Sequence, residues 1–224
     1  VIEIENLSFG YPNGKNVFND LNFSFKKGER IGLTGPNGAG KTTLFYLIMG
    51  ILKPHSGEMR IFGRTRKNEK DFSEVRQKIG LLFQDSEDQL FCPTVEEDIA
   101  FGPLNLSKTH AEARTIVRKT CERLGLNGFE KKVTHRLSGG EKRLVALATV
   151  MAMSPECFLL DEPIAGLDEA TTERFLRYLK EYADTYIIIS HDHEFLKNAV
   201  DKIYRLRESR IEPFATLKNG GMII

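Results

Sequence analysis

The sequence predicts an α/β fold with a mainly parallel sheet, an antiparallel β layer near the N-terminus and an inserted helical subdomain. Three observations carry this. Four unbroken apolar runs end in polar residues: IGLTG from Ile31, IGLLFQD from Ile79, CFLLDE from Cys157 and YIIISHD from Tyr186. Such runs suit parallel strands covered on both faces. Residues 1–62 also hold alternating segments, and a mostly helical stretch separates the second apolar run from the third. The 224 residues suffice for one sizeable core with a subdomain. No repeat, linker or low-complexity segment divides them. Residues 1–224 therefore read as a single domain, with the helical subdomain at roughly 86–153.

Residues 1–7 alternate as a half-buried strand, and Leu21, Phe23 and Phe25 put three apolar groups on one face of a second. Residues 57–62 (GEMRIF) read as a third. A helix is expected over 42–49, closed by Gly50, and another from a Ser107 cap to Leu124, stopped by Gly125. Ser138-x-x-Glu141 is a capping box. Leu144, Leu147, Ala148 and Met151 share one face of the helix that follows, which Ser154-Pro155 ends. KIYRLRESRIEPF (202–214) predicts two short strands around Glu208-Ser209, and the tail carries no signal.

Lys plus Arg is 32 and Asp plus Glu 31, a net charge of +1. That gives no basic footprint for a nucleic-acid partner. No apolar run approaches the roughly 20 residues that span a bilayer, so a membrane role would come through a partner. VIEIENLSFG has no basic segment followed by an apolar one, so no secretory signal is expected. Cys92, Cys121 and Cys157 form no C-x-x-C pair and read as reduced core thiols of a cytosolic protein.

In an open α/β sheet, ligands bind beyond the carboxyl ends of the strands. Gly35, Gln84, Asp161, Glu162 and His191 all fall there. GPNGAGKTT, comprising Gly35, Pro36, Asn37, Gly38, Ala39, Gly40, Lys41, Thr42 and Thr43, fits G-x-x-x-x-G-K-[ST] between an apolar run and a helix. Its glycines let successive N–H groups face phosphates, Lys41 can reach the β and γ phosphates, and the Thr42 hydroxyl can ligate Mg²⁺. The core is therefore expected to be of the P-loop NTPase kind, with ATP and Mg²⁺ as cofactors. Asp161 suits Mg²⁺, and Glu162 is placed to orient or deprotonate a water attacking the γ phosphate. Alone, this pair would read as a helix cap. The Gln84 amide can bind Mg²⁺ or the attacking water. His191 can reach the γ phosphate, although a lone histidine is more often structural. Tyr11 can stack on a nucleobase or serve as a turn aromatic. Two glycines after Ser138 leave the first N–H groups of that helix uncovered. A phosphate can dock there, and a plain cap on a tight turn is the alternative.

Together these residues resemble the ATP-binding subunits of ABC transporters. The match runs in order over nearly the whole chain: Tyr11, GPNGAGKTT, Gln84, LSGGE (137–141), CFLLDE, AGLD (165–168) and His191. The resemblance implies a head-to-tail pair with a second ATPase subunit, in a homo- or heterodimer. Ser138, Gly139 and Gly140 of one subunit would act in trans on ATP held by the other, and Asp168 would lie at the dimer seam. FQDSEDQLFCPTVEEDIAFGPLNL (83–106) is similar to the ATPases of cobalt and nickel importers and of energy-coupling-factor vitamin transporters, as are VMAMSPE and EPIAGLDE. It implies that 84–103, from Gln84 to Pro103, faces an integral membrane subunit. Asp85, Glu87, Asp88, Glu96, Glu97 and Asp98 are expected to form an acidic surface there, with Leu90, Phe91 and Val95 as apolar anchors. The implied location is peripheral, on the cytoplasmic face of the membrane. Ile164 stands where Thr or Ser is usual, and Leu144 where Arg is frequent. Few residues follow the hairpin, which leaves the strength of resting dimerisation open. Two other functions fit less well. A soluble ABC ATPase acting on nucleic acid or ribosomes would show long heptads or a second such domain. A non-hydrolysing nucleotide-binding module would not need Glu162 and His191.

Overall fold

The computed structural model describes residues 1–12, 14, 16–218 and 221–223. Its contacts form two compact units, 1–79 with 184–224 and 80–183.

In the first unit, β1 (Ile2–Gly10) pairs antiparallel with both β2 (Asn16–Phe25) and β4 (Ser56–Ile61), and β4 with β5 (Arg64–Thr65). Alternation builds this layer. Ile2, Ile4, Leu7, Leu21, Phe23 and Phe25 are buried, whereas Glu3, Glu5 and Ser24 are exposed. The first strand runs beyond the expected 1–7. Asn6 takes a left-handed φ of 50° where the register shifts, so a bulge returns Leu7 and Phe9 to the buried face.

β3 (Arg30–Thr34) lies between β8 (Tyr186–Ile189) and β9 (Lys202–Arg207), parallel to both. The expected hairpin is present. β9 turns at Glu208-Ser209, both at positive φ, into antiparallel β10 (Arg210–Lys218), which pairs with β11 (Gly221–Ile223). The parallel pairing of β9 to β3 was not expected. α1 (Lys41–Ile48) follows β3 and buries Leu44, Phe45, Leu47 and Ile48. α2 (Glu69–Lys78), with an Asn68–Asp71 capping box, and α7 (His193–Ala199) complete the unit.

The second unit sets β6 (Ile79–Leu82) beside β7 (Cys157–Asp161) and carries α3 (Val95–Asn105), α4 (His110–Leu124), α5 (Gly139–Ala152) and α6 (Glu169–Tyr182). The helical stretch expected over 86–153 lies inside it. The cap of α4 is Thr109, not Ser107. Ser107 sits at φ 63°, while Thr109 has the extended backbone a cap requires and shares a capping box with Glu112. Gly125 ends α4 at φ 72°, as expected. Leu144, Leu147, Ala148 and Met151 are all buried on α5.

Candidate functional site

In the first unit, residues 35–43 join β3 to α1. Gly35 holds φ 146° and Gly40 φ 102°. A Cβ at Gly35 would lie 2.3 Å from the Leu206 carbonyl oxygen, and one at Gly40 would lie 2.6 Å from a Val17 methyl. Both positions need glycine on both counts. α1 starts at Gly40 without a side-chain cap, so its first N–H groups are left for an outside acceptor. The buried Lys41 ammonium folds back over the loop and donates to the carbonyls of Gly35 (2.8 Å) and Pro36 (3.2 Å). Pro36, Asn37 and Gly38 form an exposed rim, with Ala39 and Thr42 half-buried behind it. The Thr43 hydroxyl is 3.1 Å from that of Tyr11, whose half-buried ring packs edge-on against Phe9. His191 is exposed just after β8. A cavity of about 540 Å³ sets it beside Thr34, Gly35 and Pro36, with Arg205 and Arg207 also in the wall. This unit therefore gathers Tyr11, the loop and His191.

In the second unit, Asp161 ends β7 fully buried, and Glu162 follows half-buried at φ 47°. Gln84 is exposed just past β6. Arg143, on α5, gathers these strand ends. It is 2% exposed and donates to the carbonyls of Phe83 (2.6 Å), Gln84 (3.3 Å), Asp161 and Glu162 (2.6 Å). Burial lowers its pKa to about 10 against the pull of Asp161, Glu162 and Asp85, so it is cationic at neutral pH. Gln89 adds a second tie. Its carbonyl accepts from the Phe83 N–H (3.2 Å), and its amide donates to Ala146 (3.1 Å) and Thr149 (2.8 Å) on α5.

The capping box of α5 is complete. The Ser138 hydroxyl accepts from the Glu141 N–H (3.3 Å), and the Glu141 carboxylate accepts from the Ser138 N–H (2.8 Å). That N–H and the Lys132 ammonium hold the Glu141 carboxyl below its ordinary pKa. The two glycines differ. Space around a Cβ at Gly139 is open, whereas one at Gly140 would meet the Gly166 carbonyl oxygen at 2.7 Å. Gly140 thus admits the AGLD backbone, and Gly139 faces open space. Asp168 is the N-cap of α6, accepting from the Thr171 N–H at 2.7 Å.

Thr42, Gln84 and Asp161 offer a hydroxyl, an amide carbonyl and a carboxylate, hard oxygen donors of the kind Mg²⁺ prefers. Among the described residues no three His, Cys, Asp or Glu cluster as a metal site.

The expected acidic surface needs correction. Asp98 is buried, accepting from the N–H groups of Phe91 and Cys92 and from the Thr134 hydroxyl. Val95 and Pro103 are buried within α3. Phe91 (66% exposed) and Phe101 (45%) remain outside, edge to face at 4.7 Å. Phe101 borders a groove of about 830 Å³ with Glu96, Glu97, Arg114 and Arg118 in its walls. Burial raises the Cys121 and Cys157 thiols to about 11 and 12, which keeps them protonated.

Sequence reasoning missed Arg143 and Gln89. One signal was present, since Arg143 shares the face of α5 that carries Leu147 and Val150, where an arginine must find buried acceptors.

Residues 18–165 match the family model of the ABC transporter. An energy-coupling factor transporter ATP-binding protein of Methanocaldococcus jannaschii is 44% identical, covering 94% of this chain and 77% of its own length. Its counterpart in Methanothermobacter thermautotrophicus is 42% identical, with 94% and 69% covered. The structure of CbiO1 from Clostridium perfringens, part of an ABC transporter complex CbiONQ, is 34% identical and superposes with a TM-score of 0.80 over 94% of this chain and 86% of that one. A dimeric ATP-binding cassette bound to ADP and phosphate is 25% identical, with a TM-score of 0.87 over 98% and 100%.

Proposed function

The chain belongs to the ABC transporter family, as an ATPase of the energy-coupling factor ATP-binding type, and we propose that it powers an importer of the cobalt/nickel or vitamin class by ATP-driven closure of a dimer. The observation that carries the reading is the glycine loop at 35–43, which cannot take a side chain at Gly35 and opens an uncapped helix behind a buried lysine.

ATP lies with its phosphates on the loop N–H groups and Lys41, and its base against Tyr11. Thr42, Gln84 and Asp161 would be the residues to hold Mg²⁺, which would supply charge neutralisation. Glu162 orients the attacking water, and His191 hydrogen-bonds the γ phosphate. Ser138, Gly139 and Gly140 of the second ATPase subunit close over the same nucleotide. Catalysis then rests on positioning and fixed charge. The segment around 84–103 meets the membrane subunit. The exposed Phe91–Phe101 pair supports this, as aromatic groups left in water favour a partner surface. Among the described residues no helix is long and apolar enough to cross a membrane, and a peripheral place on the cytoplasmic face is proposed.

Glu162→Gln is expected to bind ATP, hydrolyse it very slowly and accumulate as dimer. A variant that light scattering finds wholly monomeric at saturating Mg-ATP would overturn the dimer mechanism. Pull-down from solubilised membranes is expected to recover an integral partner, and to lose it on Phe91→Asp.

A further inference from the structure

Glu162 holds φ 47°, a left-handed backbone that a residue with a Cβ resists. Something must keep it there. Its carbonyl accepts from Arg143, which also reaches the carbonyls of Asp161, Phe83 and Gln84. Four carbonyls from two strand ends thus converge on one guanidinium, one turn into the helix that Ser138 starts.

We infer that Arg143 is the positioning residue that sets Glu162 in its working conformation and makes the Gln84 segment move with α5. The inference rests on the proposed role of Glu162 toward the attacking water. Three features argue for this over a plain structural staple. First, three of the four acceptors are backbone carbonyls of residues with a proposed chemical role, Gln84, Asp161 and Glu162. Second, a planar fork can bridge two separate strand ends, whereas an ammonium donates from a single point. Third, α5 grips the same segment twice more. Gln89 is held by Ala146 and Thr149, and Lys142 pairs with Glu87. A displacement of the Ser138 helix start therefore arrives at Gln84 and Glu162 together. The next residue, Leu144, is buried in the core.

The test is steady-state phosphate release by the full chain with Mg-ATP, using Arg143→Met and Arg143→Lys. Arg143→Met is expected to lower kcat on the order of a hundredfold, the cost of misplacing a catalytic group by about an ångström, with KM nearly unchanged. Arg143→Lys is expected to recover part of that loss. In a Glu162→Gln background, Arg143→Met should add little, since both changes remove the same function. Fully additive losses, or a folded Arg143→Met within twofold of the parent, would overturn the inference. If Arg143→Met does not fold, Arg143→Lys decides, and full parental kcat there overturns it. Should Glu162→Gln hydrolyse as fast as the parent, the proposed role of Glu162 fails instead, which is a separate outcome.

Discussion

Two helices in this chain start beside glycines, and they treat their first N–H groups in opposite ways. α1 follows Gly40 with no side-chain cap and a buried lysine turned onto its own loop. α5 follows Ser138 with a reciprocal capping box, in the open. The first leaves its starting N–H groups to an outside acceptor. The second is stable by itself, because the box serves the N–H groups of Glu141 and Ser138. Those of Gly139 and Gly140, which no intrahelical carbonyl reaches, are left over. Capping therefore does not exclude anion binding at α5, since the box uses other N–H groups. A phosphate-docking site of the kind proposed here can therefore be both solvent-facing and stable.

Gly35→Ala puts the contrast under the largest strain. The methyl would collide with the Leu206 carbonyl at a φ that only glycine takes freely. Expected is a loss of about 3 kcal/mol or more in thermal unfolding and no measurable ATP binding in calorimetry. A stable, ATP-binding Gly35→Ala would break the claim that Gly35 cannot take a side chain.

Ser138→Ala comes next. Losing the cap should destabilise the fold by about 1 kcal/mol, while phosphate release falls on the order of a hundredfold, as when one preorganised donor is removed. ATP affinity of the isolated subunit should not change, because the first loop is intact. Gly139→Ala sharpens the point further. Its Cβ meets open space, so unfolding should be unaffected, yet the methyl would stand in the space proposed for an incoming phosphate. Retained stability with at least tenfold slower hydrolysis is expected. Parental hydrolysis would make Gly139 a mere turn residue.

The same contrast shows what was legible in the chain. Glycine spacing around Lys41 encodes backbone geometry directly, so that loop could be read off the residues, as could the α5 cap. Arg143 left only its place on the face of Leu147 and Val150 as a cue, because a charged residue on a helix reads as solvent-facing until its acceptors are known. They come from strand ends far away in sequence. Asp98 hid for the same reason, as its partners, two backbone N–H groups and Thr134, appear only once the chain folds. Between Ser107 and Thr109, either side chain can cap α4. Backbone angle made the choice, and composition does not report it. β9 read as half a hairpin, and its parallel partner β3 lies on the other side of the second unit in sequence.

Glu141→Gln is the smallest perturbation and the finest test of how independent the α5 cap is. Glutamine keeps the box but loses the Lys132 ion pair, seen at 3.1 Å. The carboxyl is held below its ordinary 4.5, so its stabilising contribution is fully present above that value. It drains away as pH falls through the lowered folded value. The melting-temperature gap between parent and Glu141→Gln should therefore be small at pH 7 and close on acidification below about 4.5. Hydrolysis at pH 7 should stay within a few-fold of the parent, because the N–H groups of Gly139 and Gly140 are untouched. A collapse of activity with the helix still capped would show that Glu141 itself meets the incoming nucleotide, and the division of labour at this helix start would have to be redrawn.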